Sequence, residues 1–361
     1  MSLTQPQPVG SAGDLVAPAS ISVVTAARNA DRFIAQAILS VAGQTLPPLE
    51  HIVVDDGSDD STAAVVAGMA RPGLRLIRSD HRGAPAARNL GIAEAGGELI
   101  ALLDADDRWH ADFLRRSVAA LASAGPDVGC VFTRSRLITA RGNQMGRLEP
   151  RPGRYEVPDL LLAANPAGNG SCLLLRKSVL DEIGGFDETL ASAQDFDLLL
   201  RLATSASSSP GIVGIDAELV EYRLTGTGSV SGALATRLGS RARLEALQGI
   251  LRTYRPHCDE QTWRQAHIRP ALFAYTCGND DVARRLWQEA TADGQSGVLS
   301  SAEGRKLRTW HLAGRLRPVM RAARAARQTL DVAVADGPKR VLRPLLRRLF
   351  PGWTRFNGNW S

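Results

Sequence analysis

Three carboxylates, Asp104, Asp106 and Asp107, crowd the end of the apolar run Leu99, Ile100, Ala101, Leu102 and Leu103. Acids this close repel one another unless a cation lies between them, and hard oxygen ligands suit Mg²⁺ or Mn²⁺. A second acidic stretch, Asp55 to Asp60 around Gly57, follows the apolar residues Ile52 to Val54. A third pair, Asp195 and Asp197, opens the helical pattern Gln194 to Ala203, where the helix dipole favours negative charge. Arg88 and Asn89 lie on a helical stretch, about Pro85 to Ala95, that precedes the central carboxylates. Each feature also has a plain reading: a solvated acidic turn, a helix-start carboxylate, a surface arginine.

The elements that would position them alternate. Ile21 to Thr25 reads as a strand, and Phe33, Ile34, Ala37, Ile38 and Val41 recur at helical spacing. His51 to Val54 is the next strand, with Asp59 or Ser61 placed to cap a helix near Thr62. Leu74 to Ile77 is a third strand before the Arg88 helix, which Gly96-Gly97 ends. Leu99 to Leu103 lacks polar alternation, the mark of a strand buried on both faces. Strands and helices alternating at these lengths predict a doubly wound, mostly parallel sheet, whose loops after the first, second and fourth strands converge on one crevice. Beyond Trp109, a helix is expected over 113–124 and a strand over 128–133. Mobile, substrate-facing loops are expected over 135–169, another strand over 171–175, and a final strand or two over 212–222. From about Ala233 β-character vanishes, and the pattern predicts helices over 241–251, 261–273, 281–289 and 309–329.

Composition bounds the function. With 361 residues, 44% hydrophobic and 22% charged, the chain has an ordinary globular composition. The net charge of +6 is uneven: Glu303 to Ser361 holds 14 Lys and Arg against 3 Asp and Glu, and the other 302 residues hold 29 against 34. A basic surface spread over the whole protein is therefore excluded, which argues against a nucleic-acid partner. Cys130, Cys172, Cys258 and Cys277 lack zinc spacing and read as buried free thiols. No run approaches membrane-spanning length, and no signal-peptide pattern is present, so the expected compartment is the cytoplasm.

Taken in order, ISVVTAARN, SVAGQTLPPLEHIVVDDGSDDST, GAPAARNLGIAEAGGELIALLDADDRW, LLLRKSVLDEIGGFDETL, AQDFDLLLRLA and EYRLTGTGSVSG resemble the family-two glycosyltransferases, inverting enzymes of the GT-A fold. The resemblance covers about 20–231. It implies a nucleotide diphosphate sugar donor, a saccharide, glycolipid or glycoprotein acceptor, and Mn²⁺ or Mg²⁺ held by Asp106 with Asp107. It further implies donor contacts from Thr25, Ala27, Asn29, Asp56, Arg88 and Asp104, and Asp195 as the general base, with Asp197 structural. Trp109 reads equally as core or as a sugar platform. Two departures stand out. Gln194 replaces the family's usual Glu before the base, and Thr225 stands where many relatives carry a His that completes the metal shell. A polyprenyl-phosphate sugar transferase and a non-catalytic sugar-nucleotide binder are the alternative readings.

The expected organisation is a disordered leader over 1–19, a GT-A domain over 20–232 and a basic helical region over 233–361. In the last, Lys339 to Phe350 pairs four arginines with an apolar stripe. That stretch suits peripheral contact with an anionic membrane or packing on its own domain, and Pro344 interrupts it.

Overall fold

A computed structural model describes residues 20–205, 211–225, 237–292, 301–313 and 320–321. The leader, the Lys339–Phe350 stretch and the end of the 309–329 helix fall outside them.

Strands β1 (Ile21–Ala27), β2 (Glu50–Asp56), β3 (Leu74–Ser79) and β4 (Leu99–Leu102) are parallel, in the order β3-β2-β1-β4. Val24 stands opposite both Ile52 and Leu102 in register. Because successive residues face opposite sides of a strand, Ile52 and Val54 pack with Val24 and Ala87, while Val53 packs with Ala27, Ile34 and Ile38. Both faces are covered, which is why the strands read as unbroken apolar runs. Helix α1 (Ile34–Ala42) buries Ile34, Ala37, Ile38 and Val41, the i, i+3, i+4, i+7 stripe of an amphipathic helix. Helix α2 (Thr62–Gly68) has Ser61 at its N-cap position, but the Ser61 side chain makes no capping bond; the Asp60 carboxylate accepts from the Thr62 amide at 2.9 Å instead. Helix α3 (Ala84–Ala93) lies on β1 and β2 through Gly91, where an added Cβ would stand 2.4 Å from Val24 Cγ1.

Past β4 the sheet becomes mixed. The short β5 (Arg108–Trp109) and helix α4 (Phe113–Ala124) come next. The strand expected over 128–133 runs on as the twelve-residue β6 (Val128–Thr139). Much of the region expected to be loops is ordered: β7 (Gln144–Leu148) pairs with β6, β8 (Gly153–Tyr155) pairs with the last strand, and α5 (Val157–Ala163) follows. A turn of 3-10 helix at Gly170–Cys172 leads into β9 (Leu173–Arg176), antiparallel to β4 and β6. Helices α6 (Lys177–Ile183) and α7 (Gln194–Ala203) come next, and a single strand β10 (Gly211–Leu224) closes the sheet in the order β4-β9-β6-β10-β5.

The helical region packs on this sheet. In α8 (Arg237–Tyr254), Leu247, Ile250, Leu251 and Tyr254 join the main core, whereas Leu244 joins a second cluster. The latter is built from α10 (Ile268–Cys277), α11 (Asp280–Thr291) and α12 (Ala302–Leu312). The helix expected over 261–273 is two helices, α9 (Glu260–Ala266) and α10, the second with Pro270 in its first turn. None of the four cysteines is in a disulfide; Cys130 and Cys172 are buried and the other two half-buried. Among the described residues no helix is long and apolar enough to cross a membrane.

Candidate active site

The carboxyl ends of β1, β2 and β4 meet the start of α7 and the first turns of α8 around a cleft of about 390 Å³. Ala27, Asn29 and Asp56 line one side, Asp104 and Asp106 line its middle, and Ser192, Asp195 and Arg243 line the other. The strand-end rule thus brings together most residues expected from sequence.

Arg88 is the knot of the site. Its side chain is 9% exposed, its Nη2 donates to Asp104 Oδ1 at 2.6 Å, and its Nη1 lies 3.7 Å from Asp195 Oδ1. One guanidinium thereby joins the acid after β4 to the acid at the start of α7, with the Phe186 ring 5.2 Å beneath it. Arg88, expected to reach the donor, pairs with two carboxylates, lines the cleft and keeps Nη1 without a hydrogen-bond acceptor among the described residues. Burial raises the Asp195 pKa above the ordinary carboxylate range, and the charge of Arg88 opposes that rise. Ala193, just before α7, takes a left-handed φ of 62°, and Gly170 passes so near that a Cβ there would lie 3.2 Å from Asp195 Oδ1. Asp197 pairs with Arg201 at 2.7 Å, a structural contact along its own helix.

The three central acids differ. Asp106 is half-buried at the cleft, with its pKa pushed up to about 6 by burial and then by the charge of Asp104. Asp107 was expected with it at the metal, but that expectation is corrected. Its side chain is fully buried, Oδ2 accepts from Ser171 Oγ at 2.5 Å and Oδ1 accepts from the Arg223 amide at 2.7 Å. Both oxygens are committed to holding β10 and the 170–172 turn against the strand end. Arg223, 2% exposed, completes that clamp by donating from Nε to the Asp106 carbonyl at 2.7 Å and from Nη2 to Gln36 Oε1 at 3.0 Å.

On the opposite side one further correction applies. Thr25 is buried and its hydroxyl pairs with His51 Nε2 at 2.9 Å, so it does not line the cleft. Asp56 lines it, but its oxygens accept from the Arg82 and Gly83 amides, each at 2.8 Å, and from Ser79 Oγ at 3.1 Å. These bonds hold the loop before α3 and keep the Asp56 carboxyl below its usual range. Asn29, at φ 50°, bonds the acidic turn through its Oδ1 and the Asp59 amide at 2.8 Å. Trp109 is core: its indole N–H donates to the Ser171 carbonyl at 2.7 Å and its ring stacks on Phe113 at 4.1 Å.

Unspent capacity marks the site as one that binds something. Asn169 Oδ1, Ser192 Oγ and Asp195 Oδ1 are buried without a hydrogen-bond partner among the described residues, and all three residues line the cleft. Buried polar groups cost free energy when unpaired, so a ligand that donates to them gains what the protein forgoes. For a cation the donor set is sparse. Among the described residues no group of three or more His, Cys, Asp and Glu is placed to hold a metal. Asp106, with Thr225 beside it, fits an ion that takes one protein carboxylate and completes its shell from a ligand's phosphates and water. Sequence reasoning missed Asn169, Ser192 and Arg243. Arg243 had a signal: it stands at i−4 and i−7 to Leu247 and Ile250, a cation at the head of the core-facing stripe of α8.

The sequence pattern of glycosyl transferase family 2 matches residues 22–184. The chain is 42% identical over 109 residues to the succinoglycan biosynthesis protein ExoO of Rhizobium meliloti, covering 30% of this chain and 31% of that one. It is 30% identical to the amylovoran biosynthesis glycosyltransferase AmsB of Erwinia amylovora, over 50% of this chain and 63% of that one. The match thus spans less than two thirds of either relative's length. In fold, the chain is similar to the mannosyltransferase PcManGT of Pyrobaculum calidifontis, solved with GDP-Man and Mn²⁺. That likeness has a TM-score of 0.54 at 19% identity, over 88% of this chain and 90% of the other.

Proposed function

We propose, from the match of residues 22–184 to glycosyl transferase family 2, that this chain moves a sugar, with inversion, from a nucleotide diphosphate sugar to a saccharide or lipid-linked acceptor in the synthesis of a surface polysaccharide or glycoconjugate. The observation that carries this reading is Asp195: a carboxylate at the cleft whose buried Oδ1 accepts no hydrogen bond among the described residues and lies 3.7 Å from Arg88, which joins it to the acid that ends β4.

Inversion requires the acceptor oxygen to attack the anomeric carbon opposite the leaving diphosphate. Asp195 takes the hydroxyl proton as the new C–O bond forms, and the electron pair of the old bond leaves on the nucleoside diphosphate. A carboxyl raised by burial is a stronger base than one in water, and Arg88 keeps it ionised in spite of that burial. The nucleoside end of the donor lies along Ala27, Asn29 and the loop that Asp56 holds, and the donor sugar lies by Asp104. Asp106 is the residue that would hold Mn²⁺ or Mg²⁺, and such an ion supplies Lewis-acid stabilisation of the departing diphosphate.

The test is turnover of UDP- and GDP-sugars by the wild type and by Asp195→Asn. The variant is expected to lose transfer by about 10²–10⁴-fold, the range of a general base, while still binding the nucleoside diphosphate. Activity near that of the wild type in Asp195→Asn points instead to an acceptor that is already an anion at the attacking oxygen. Absence of turnover with every donor leaves a non-catalytic binder.

A further inference from the structure

Among the described residues three arginines line the cleft. Arg88 is joined to Asp104 and Asp195, and Arg28 is exposed beside Ala27 and Asn29, across the cleft from Asp195; in the adjoining hollow Arg151 pairs with Asp159 at 2.8 Å and Arg269 approaches Glu303 at 3.8 Å. Arg243 differs. Among the described residues it makes no salt bridge or hydrogen bond; its guanidinium stands over the Phe273 ring at 5.8 Å and lines the cleft on the Asp195 side. It is held there by both cores, since Leu247 one turn on is fixed in the sheet core and Leu244 in the helical cluster. A half-buried guanidinium with no direct ion pair costs desolvation free energy, and Asp195, the acid whose charge it feels, is already joined to Arg88. In the same cleft, Asn169 Oδ1 and Ser192 Oγ, 3% and 2% exposed as residues, have no hydrogen-bond partner among the described residues and suit sugar hydroxyls. Asn165 and Gly168 carry the same wall into a second hollow of about 500 Å³, room for a saccharide longer than one ring.

We propose that Arg243 binds an anionic group, carboxylate or phosphate, on the acceptor saccharide next to the hydroxyl that attacks, so that the chain selects an acidic acceptor. This rests on the reading of the cleft as a donor-and-acceptor site. The helical region then belongs to the acceptor half of the site, and the sheet supplies the donor half. A guanidinium is the cation suited to this task, because its planar fork matches both oxyanions in a way an ammonium does not.

The experiment uses the full chain and whichever nucleotide sugar it hydrolyses without acceptor. Nucleoside diphosphate release is measured with phenyl glucoside and phenyl galactoside, the matching glucuronide and galacturonide, and the matching sugar 1-phosphates. The wild type is expected to favour one of the two acidic sets over the neutral set in kcat/KM, and which set wins identifies the anion. In Arg243→Gln that preference falls about 10- to 100-fold, the worth of a charged hydrogen bond, chiefly through the KM of the acidic acceptor, and Arg243→Lys restores part of it. A nucleoside diphosphate thermal shift confirms that each variant is folded. If Arg243→Gln instead lowers turnover with neutral and acidic acceptors alike, or raises the donor KM, Arg243 serves Asp195 or the donor and the proposal is wrong. Acceptor-free hydrolysis without any preference for acid overturns this proposal alone. Absence of hydrolysis with every donor removes the donor reading and this one together.

Discussion

At the scale of the residue, the site is governed by what each carboxylate already holds. Asp56 and Asp107 have their oxygens committed to backbone and hydroxyl donors, and Asp104 shares Arg88 with Asp195. Asp106 and Asp195 keep capacity for something the protein does not supply, and burial raises both. The charge of Arg88 favours ionised Asp195, so Arg88→Gln must raise the Asp195 pKa further. The acid limb of the kcat/KM profile is therefore expected to move to higher pH in Arg88→Gln, with activity recovered as pH rises, and a pH profile of both proteins checks this. A limb that stays in place means that Arg88 does not face the base in the working enzyme.

At the scale of the element, the backbone arrangement follows from a few close contacts. Helix α3 delivers Arg88 by lying on β1 and β2 through Gly91, whose missing side chain admits Val24. Gly91→Ala is expected to lower stability by about 1–3 kcal/mol, as overpacking does, and to reduce turnover more than the stability loss explains, because Arg88 sits one turn away. Thermal midpoint and kcat measured together separate the two effects. The pieces of this arrangement differed in how plainly the sequence announced them. Leu99–Leu103 and Ile52–Val54 were legible as buried strands because both faces are covered, and so was Gln194–Ala203, because its apolar spacing and first-turn acids agree. Residues 135–169 read as loops because arginines, glycines and prolines interrupt any alternation, yet the long β6 pairs them into β7, and β10 pairs with β8. The β6 strand supplies through pairing what local pattern lacks. Within the site, residue types marked the acids, but nothing local showed that Ser171 and the Arg223 amide would consume Asp107, since those partners lie 64 and 116 positions away. Arg243 was hidden for the same reason, being brought to Asp195 only by the packing of α8.

At the scale of the whole molecule, a parallel half-sheet presents its strand ends to the cleft, while a mixed half-sheet and the helices behind it close the opposite wall. The positive charge lies apart from this site: 14 of the 43 Lys and Arg fall after residue 302, and the rest of the chain is net acidic. An acidic body that binds a diphosphate needs local cations or a metal to do so, and Asp106 is the proposed ligand of that metal. The most direct measurement is the thermal midpoint of the full chain with UDP or GDP, each with and without Mn²⁺ or Mg²⁺, for the wild type and Asp106→Ala. One diphosphate is expected to raise the wild-type midpoint in the presence of metal, by roughly 2.7 kcal/mol of stabilisation at a hundred times its dissociation constant, and to leave Asp106→Ala unmoved. A wild type that no diphosphate stabilises under any condition contradicts donor binding in this cleft, and an Asp106→Ala that responds as the wild type does contradicts Asp106 as the metal ligand.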